Sequence, residues 1–156
     1  MQRNLLILFI TALGFAQCSS SHVRTKRNFE QKQGIEGFVY RISGNRMPAP
    51  NAPAVPPAGF TTTVYIYALT NLNNVTRIGQ TPFYQSIATA LITTTQSDST
   101  GHFNIQLPEG KYSLFIKLKD QFYSNLYDTE NNIAPVEVKK GMMSKIILKA
   151  DADATY

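Results

Sequence analysis

The sequence predicts an all-β fold, a sandwich of seven to eight antiparallel strands. Two observations support this: short runs in which apolar and polar residues alternate, and turn residues that stand between those runs. Only "YQSIATAL" offers a turn or two of helix as an alternative. Several short strands, separated in this way over about 120 residues, are typical of a β-sandwich.

The predicted strands share a period of two residues. They are, in chain order, "GIEGFVYRI", "TTVYIYAL", "HFNIQL", "KYSLFIKL", "PVEVKK" and "SKIILK". In the fourth run, Tyr112, Leu114, Ile116 and Leu118 fall on one face, because successive side chains of a strand point to opposite sides. Each run therefore predicts one face for a buried core.

Turn residues separate the runs. "SDSTG" supplies Asp98, which can bond its own backbone, and Gly101, which can take a positive φ. "LPEGK" places Pro108 and Gly110 at a second tight reversal. Such reversals join neighbouring antiparallel strands.

A proline-rich segment, residues 46–60, interrupts the pattern with five of the eight prolines. Proline cannot donate to a sheet ladder, so the segment is expected to form an exposed loop or to lie along an edge. A polyproline ligand for a partner is the alternative.

Composition and charge restrict the function. The 156 residues are 43% hydrophobic and 16% charged, which is typical of one folded domain. Of the net charge of +5, residues 1–33 contribute four units, from five basic residues against Glu30. Nucleic-acid binding needs basic residues clustered on a folded face, so no nucleic-acid partner is expected.

Residues 1–17 are predicted to be an export signal. Arg3 supplies the positive end, "LLILFITALGFA" the apolar run, and Gly14 and Ala16 the small residues near its close. A run of about twelve residues is too short to cross a bilayer as a helix. The chain is therefore expected to work outside the cytoplasm.

Cys18 is the only cysteine of the chain and directly follows this leader. It could be an incidental thiol, a thiol that pairs between chains, or a lipid acceptor. "FAQCSSS" resembles the lipobox of bacterial lipoproteins, with Phe15 in place of the usual Leu and Gln17 in place of Gly or Ala. This resemblance implies that Cys18 becomes the lipidated first residue. Cleavage after Ala16, which would release a secreted protein, is the alternative.

Residues 18–33 are polar and lack apolar periodicity, so we expect them to act as a tether. With a lipid on Cys18, the expected location is the cell envelope, as an outer-membrane lipoprotein whose periplasmic or surface orientation is open. The membrane is then one partner, reached through the N-terminal lipid.

"SDSTGHFNIQLPEGKYSLFIK" resembles the signature of carboxypeptidase regulatory-like domains. An acidic turn and a glycine precede an aromatic strand, and Leu-Pro-x-Gly-x-Tyr opens the next strand. The matching residues are Asp98, Gly101, Phe103, Leu107, Pro108, Gly110, Tyr112 and Leu114. The resemblance covers about 34–156, and the layout with a lipid-type leader is similar to small lipoproteins of Bacteroidota.

The resemblance implies a transthyretin-like, or prealbumin-like, sandwich for residues 34–156. The fold class predicted for the chain is thus a prealbumin-like or Ig-like sandwich of seven to eight strands. The family implies an accessory module without catalysis of its own. Residues 71–97 exceed the family's usual connection, so their pairing stays open.

Few residues suggest catalysis or metal binding. His22 lies in the tether and His102 beside a turn, too few for a zinc site, and no cofactor is expected. The acids at predicted turns are accounted for by local capping or solvation: Asp98, Glu109, Asp120, Asp128 and Glu130. We therefore expect no enzyme, with a hydrolase as the remaining alternative.

Aromatic residues near predicted loops are the candidate ligand site. They are Phe83, Tyr84, Phe122, Tyr123 and Tyr127. Exposed tyrosines suit a binding face, although the same rings could instead cap the ends of the core. The sequence thus favours a non-enzymatic accessory or interaction module with an envelope protein or glycan as partner. The alternative is an extracytoplasmic glycan- or peptide-binding protein that uses these rings.

Overall fold

The computed structural model describes residues 32–47 and 56–155, which lie mostly in β-strands. The strands are β1 (Gly34–Asn45), β2 (Ala58–Gly59), β3 (Thr63–Ala68), β4 (Val75–Arg77), β5 (Phe83–Ile87), β6 (Leu91–Gln96), β7 (His102–Gln106), β8 (Gly110–Leu118), β9 (Gln121–Tyr123), β10 (Pro135–Val138) and β11 (Met143–Thr155). Within these ranges the helical structure is one 3-10 turn, Leu72–Asn74. The predicted signal, Cys18 and nearly all of the predicted tether lie outside the described residues.

The strands form two sheets. In the four-stranded sheet, β11 pairs with one edge of β1, and β7 and β2 pair with the other. The seven-stranded sheet has the order β4-β5-β9-β8-β3-β6, and β10 lies beside β9 on the same edge of β8. This confirms the predicted β-sandwich. The described residues form eleven strands, more than the seven to eight predicted, because residues 71–97 add short strands. β1 pairs with β11 in parallel, whereas the other described pairs are antiparallel.

The main core lies between the two sheets and follows the predicted alternation. On β8, Leu114 and Ile116 are buried and face the four-stranded sheet, as the period of two predicted. From the opposite sheet, Ile35 and Val39 of β1 reach the same core. At about 25 cal/mol per Å² of apolar area, burial of this kind is the main stabilising contribution.

A second core lies on the other side of the seven-stranded sheet. Phe115, which points away from Leu114 and Ile116, is fully buried, with 0% of its surface exposed. Residues from the 71–97 segment pack around it, among them Leu72, Val75, Tyr84 and Ile87. The suggested helical turn in "YQSIATAL" is wrong, because residues 84–87 belong to β5 and extend the sheet beyond β9.

The predicted turns bring three backbone segments close together. Gly101 has φ +83°, and a Cβ on it would lie 2.1 Å from the carbonyl oxygen of Val39. A Cβ on Gly59 would lie 1.8 Å from the carbonyl oxygen of Thr100. Only glycine allows this approach of β1, β2 and the β6–β7 turn.

The described part of the proline-rich segment follows the edge, as predicted. Pro56 and Pro57 are exposed, and β2 pairs with Tyr40 and Arg41 of β1. The intervening residues 48–55 lie outside the described residues.

Candidate functional site

The structure brings four of the five predicted aromatic residues together. Phe83 and Tyr84 of β5 stand opposite Tyr123 and Phe122 of β9, respectively. Because paired residues in a sheet share a face, the four rings divide into two pairs on opposite sides of the sheet. Each pair has a different environment.

Tyr123 and Phe83 point into the main core. Their ring centroids are 5.0 Å apart, and Tyr123 is 1% exposed. The Tyr123 hydroxyl donates to Oδ1 of Asp151 on β11, which links the two sheets. Burial, followed by this hydrogen bond, raises the pKa of Tyr123 above its ordinary value.

Tyr84 and Phe122 belong to the second core. Both rings pack edge to face with neighbours: Tyr84 lies 5.5 Å from Phe115, and Phe122 lies 5.1 Å from Tyr65. Tyr84 is 0% exposed. Desolvation raises its pKa, and the adjacent hydroxyl of Tyr127 raises it further.

Tyr127 is the only one of the five that is exposed, with 36% of the residue's surface accessible. Its hydroxyl is hydrogen bonded to the Tyr84 hydroxyl and lies near the carbonyl oxygen of Ser124. The prediction that these rings form a stacking face therefore needs correction for Tyr84 and Tyr123, which are too buried to meet a ligand. Tyr123 belongs to the main core and Tyr84 to the second core.

Two of the acids at the predicted turns, Asp98 and Asp128, have local partners. Oδ1 of Asp98 accepts hydrogen bonds from the Thr100 amide at 2.8 Å, the Thr100 hydroxyl and the His102 amide. Asp128 likewise accepts bonds from the Glu130 and Asn132 amides, at 2.9 and 2.8 Å. Hydrogen bonds hold the pKa of both carboxyls below the ordinary value of 3.8. These are turn-stabilising contacts.

His102 is the first residue of β7 and is partly exposed. Its Nε2 lies 3.2 Å from Oε1 of Glu36 on the adjacent strand. Across the described ranges, no three His, Cys, Asp or Glu side chains come close enough to hold a metal ion. The same ranges contain no helix long and apolar enough to span a membrane.

A surface that the sequence analysis missed lies on the outer side of the four-stranded sheet. The Phe38 and Tyr40 rings stack in parallel, with centroids 5.8 Å apart, and His102 lies 5.1 Å from Phe38. On β11, Ile147 stands opposite Phe38 and is 54% exposed. We call Phe38, Tyr40, His102 and Ile147 the outer aromatic face.

A groove of about 330 Å³ crosses this face between β1 and β11. Its sides are formed by Phe38 and Ile147 and by the opposed charges of Glu36 and Lys145. An apolar groove with a few polar groups is a common form of binding site. The signal for it was present in "GIEGFVYRI", because Phe38 and Tyr40 alternate with the inward residues Ile35, Gly37 and Val39.

The end of the sandwich nearest the N-terminal segment is also distinctive. Gln33 is fixed there: its Nε2 donates to the Leu107 carbonyl at 3.0 Å, and its Oε1 accepts from the Gly141 amide at 2.9 Å. The adjacent turn between β10 and β11 exposes Met142 at 58%. Lys139 and Lys140 precede that methionine in the same turn.

Comparison of the chain with models of protein families, with curated proteins and with solved structures found no match.

Proposed function

We propose that residues 34–156 form a non-enzymatic accessory or interaction module at the cell envelope, held there by a lipid on Cys18. The observation that carries this proposal is the outer aromatic face. Phe38 and Tyr40 are partly exposed there, their rings are stacked, and the neighbouring Ile147 is 54% exposed. Surfaces of this composition are typical of sites that bind a partner.

The anchor is supported by sequence and by the path of the chain. "FAQCSSS" is similar to a lipobox, and the polar residues after Cys18 lead to Gln33. Gln33 is hydrogen bonded at one end of the sandwich, so the predicted tether joins the domain there. That junction does not lie on the outer aromatic face.

We also propose that the domain is of the carboxypeptidase regulatory-like type. The Leu-Pro-x-Gly-x-Tyr motif has a structural role consistent with this. The Tyr112 hydroxyl donates to the Pro108 carbonyl at 3.0 Å, and the Tyr112 ring lies over Gly110, where a Cβ would be 3.2 Å from the hydroxyl oxygen. Leu107 is buried below the turn.

Lipid attachment is tested by growing expressing cells with an alkyne-bearing fatty acid. The wild-type chain should take up the label, and the Cys18→Ser variant should not. The mass of the mature N-terminus is measured in parallel. An unlabelled wild-type protein that begins with an unmodified Gln17 would contradict the anchor.

The interaction surface is tested by affinity purification of the full chain from detergent-solubilised envelopes. Ile147→Asp should abolish recovery of a stoichiometric partner, because a charge would enter the apolar groove. Thr94→Asp is the matched control, since Thr94 is exposed on β6 of the other sheet. Equal recovery with both variants, at equal melting temperatures, would exclude this face as the contact.

A further inference from the structure

The end of the sandwich at which the tether enters carries a basic tip with exposed apolar surface. The tip consists of Lys139, Lys140, Met142 and Lys145, in and beside the β10–β11 turn. Residues 137–149 contain four lysines against Glu137 alone. All four lysines are exposed, and Met142 is the most exposed large apolar side chain described.

The tip is hydrogen bonded to residues 33 and 34, where the predicted tether meets β1. The Gly34 amide donates to the Met142 carbonyl at 3.1 Å, and the Gly141 amide donates to the Gln33 side chain. Residues 33 and 34 are therefore bonded directly to the turn that forms the tip. Whatever the tether is attached to therefore lies within the tether's reach of the tip.

Neighbouring acids offset only part of this charge. Glu137 lies 3.8 Å from Lys139, and Glu36 stands opposite Lys145 on the adjacent strand. With Lys32 included, five lysines stand against Glu36, Glu109 and Glu137, which leaves a net charge of +2. Glu109 lies in the adjacent β7–β8 turn, two residues after Leu107, whose carbonyl accepts a hydrogen bond from Gln33. Lys32, also exposed, adds a further positive charge at the entry point.

We propose that this tip docks on the anionic surface of the bilayer that holds the lipid anchor. The inference rests on the proposed function, because it requires acylated Cys18. Fifteen residues at roughly 3.5 Å each keep Gln33 within about 50 Å of the head groups. At such a distance the tethered tip meets the surface at a high effective concentration, so a weak contact suffices.

The chemistry of the tip suits lipid head groups. Each lysine near an anionic surface strengthens binding by roughly fivefold. Met142 can place its flexible apolar side chain between head groups, while the lysine ammonium groups stay in the polar layer. Docking through this end directs the outer end of the sandwich, including the β6–β7 turn, away from the membrane.

The test uses the acylated full chain in vesicles of phosphatidylcholine with equal parts phosphatidylglycerol. Because Cys18 is the only cysteine and carries the lipid, Met142→Cys introduces a single free thiol for an environment-sensitive dye. Ser99→Cys is the matched control, since Ser99 is exposed in the β6–β7 turn at the opposite end. Quenching by lipids with a head-group spin label is then compared at the two positions.

Quenching at position 142 should exceed quenching at position 99 by about twofold or more, and only with the anionic lipid. Adding Lys139→Ser and Lys140→Ser should lower the docked population by more than about tenfold. Equal quenching at both positions on acylated protein overturns the docking but leaves the anchor intact. A blue-shifted dye without lipid quenching means that a second copy of the chain covers the tip, and this result also overturns the docking. Absence of acylation on Cys18 overturns the anchor, and the docking with it.

Discussion

Phe115 provides the most direct test of the second core. In a simple two-layer sandwich its ring would face water, because Leu114 and Ile116 occupy the inner side of β8. In this protein Phe115 is 0% exposed, and the rings of Tyr67, Tyr84 and Phe122 have centroids 5.6, 5.5 and 6.5 Å from its own. Phe115→Ala should therefore behave as a core substitution.

The expected loss follows from burial. A fully buried Phe→Ala substitution costs about 3–5 kcal/mol in transfer and cavity terms. The three edge-to-face ring contacts place Phe115 in the upper part of that range. For a domain of this size the melting temperature should fall by roughly 15 °C.

Urea unfolding followed by far-ultraviolet circular dichroism measures the free energy of unfolding. Phe38→Ala is the matched control, because Phe38 also points outward but is partly exposed on the other sheet. Phe38→Ala should lower the free energy of unfolding by only about 1 kcal/mol. If Phe115→Ala costs no more than Phe38→Ala, residues of the 71–97 segment do not form a second core.

Three further predictions concern the turns. Gly101→Ala should lower the free energy of unfolding by about 2–4 kcal/mol in thermal unfolding, because a Cβ would meet the Val39 carbonyl. Gly79→Ala is the control: Gly79 has open space around it, so the loss should be only about 1 kcal/mol. Equal losses for the two variants would exclude the close approach at Gly101. The native pKa values of Asp98 and Asp128 lie below 3.8, so their stabilisation is present above that pH and is lost as the pH falls through the native values. Replacing both residues with Asn should reduce the fall in the free energy of unfolding as the pH becomes acidic. An unchanged fall in the double variant would refute this. Tyr112→Phe should cost about 1 kcal/mol in urea unfolding, since it removes the bond to the Pro108 carbonyl, and a neutral effect would show that the bond is not stabilising.

Strand faces could be predicted, but strand partners could not. The alternation in "KYSLFIKL" was enough to assign Leu114 and Ile116 to the main core. A period of two says nothing about which strand lies alongside, so the parallel pairing of β1 with β11 was not predictable. That pairing joins strands about a hundred residues apart in the chain.

The second core was hidden for a related reason. β8 is buried on both faces at Leu114, Phe115 and Ile116, and three consecutive apolar residues do not show what the middle one packs against. Tyr84 and Tyr123 were misplaced because "QTPFYQS" and "DQFYSNLYD" contain turn-forming residues beside the rings. β5 and β9 pair at only two positions, and this pairing buries Tyr123 in the main core and Tyr84 in the second core, on opposite sides of the sheet.

The parallel pairing of β1 with β11 has a mechanical consequence. β1 starts where the tether enters, and β11 finishes at the far end of the sandwich, with Thr155 beside Asn45. A pull applied at Gly34 and resisted near Thr155 runs along both strands, so it loads their eleven partnered positions in shear. Under such a load the hydrogen bonds between β1 and β11 break together and not one at a time. This strand pair is therefore the element that resists tension applied between Gly34 and Thr155.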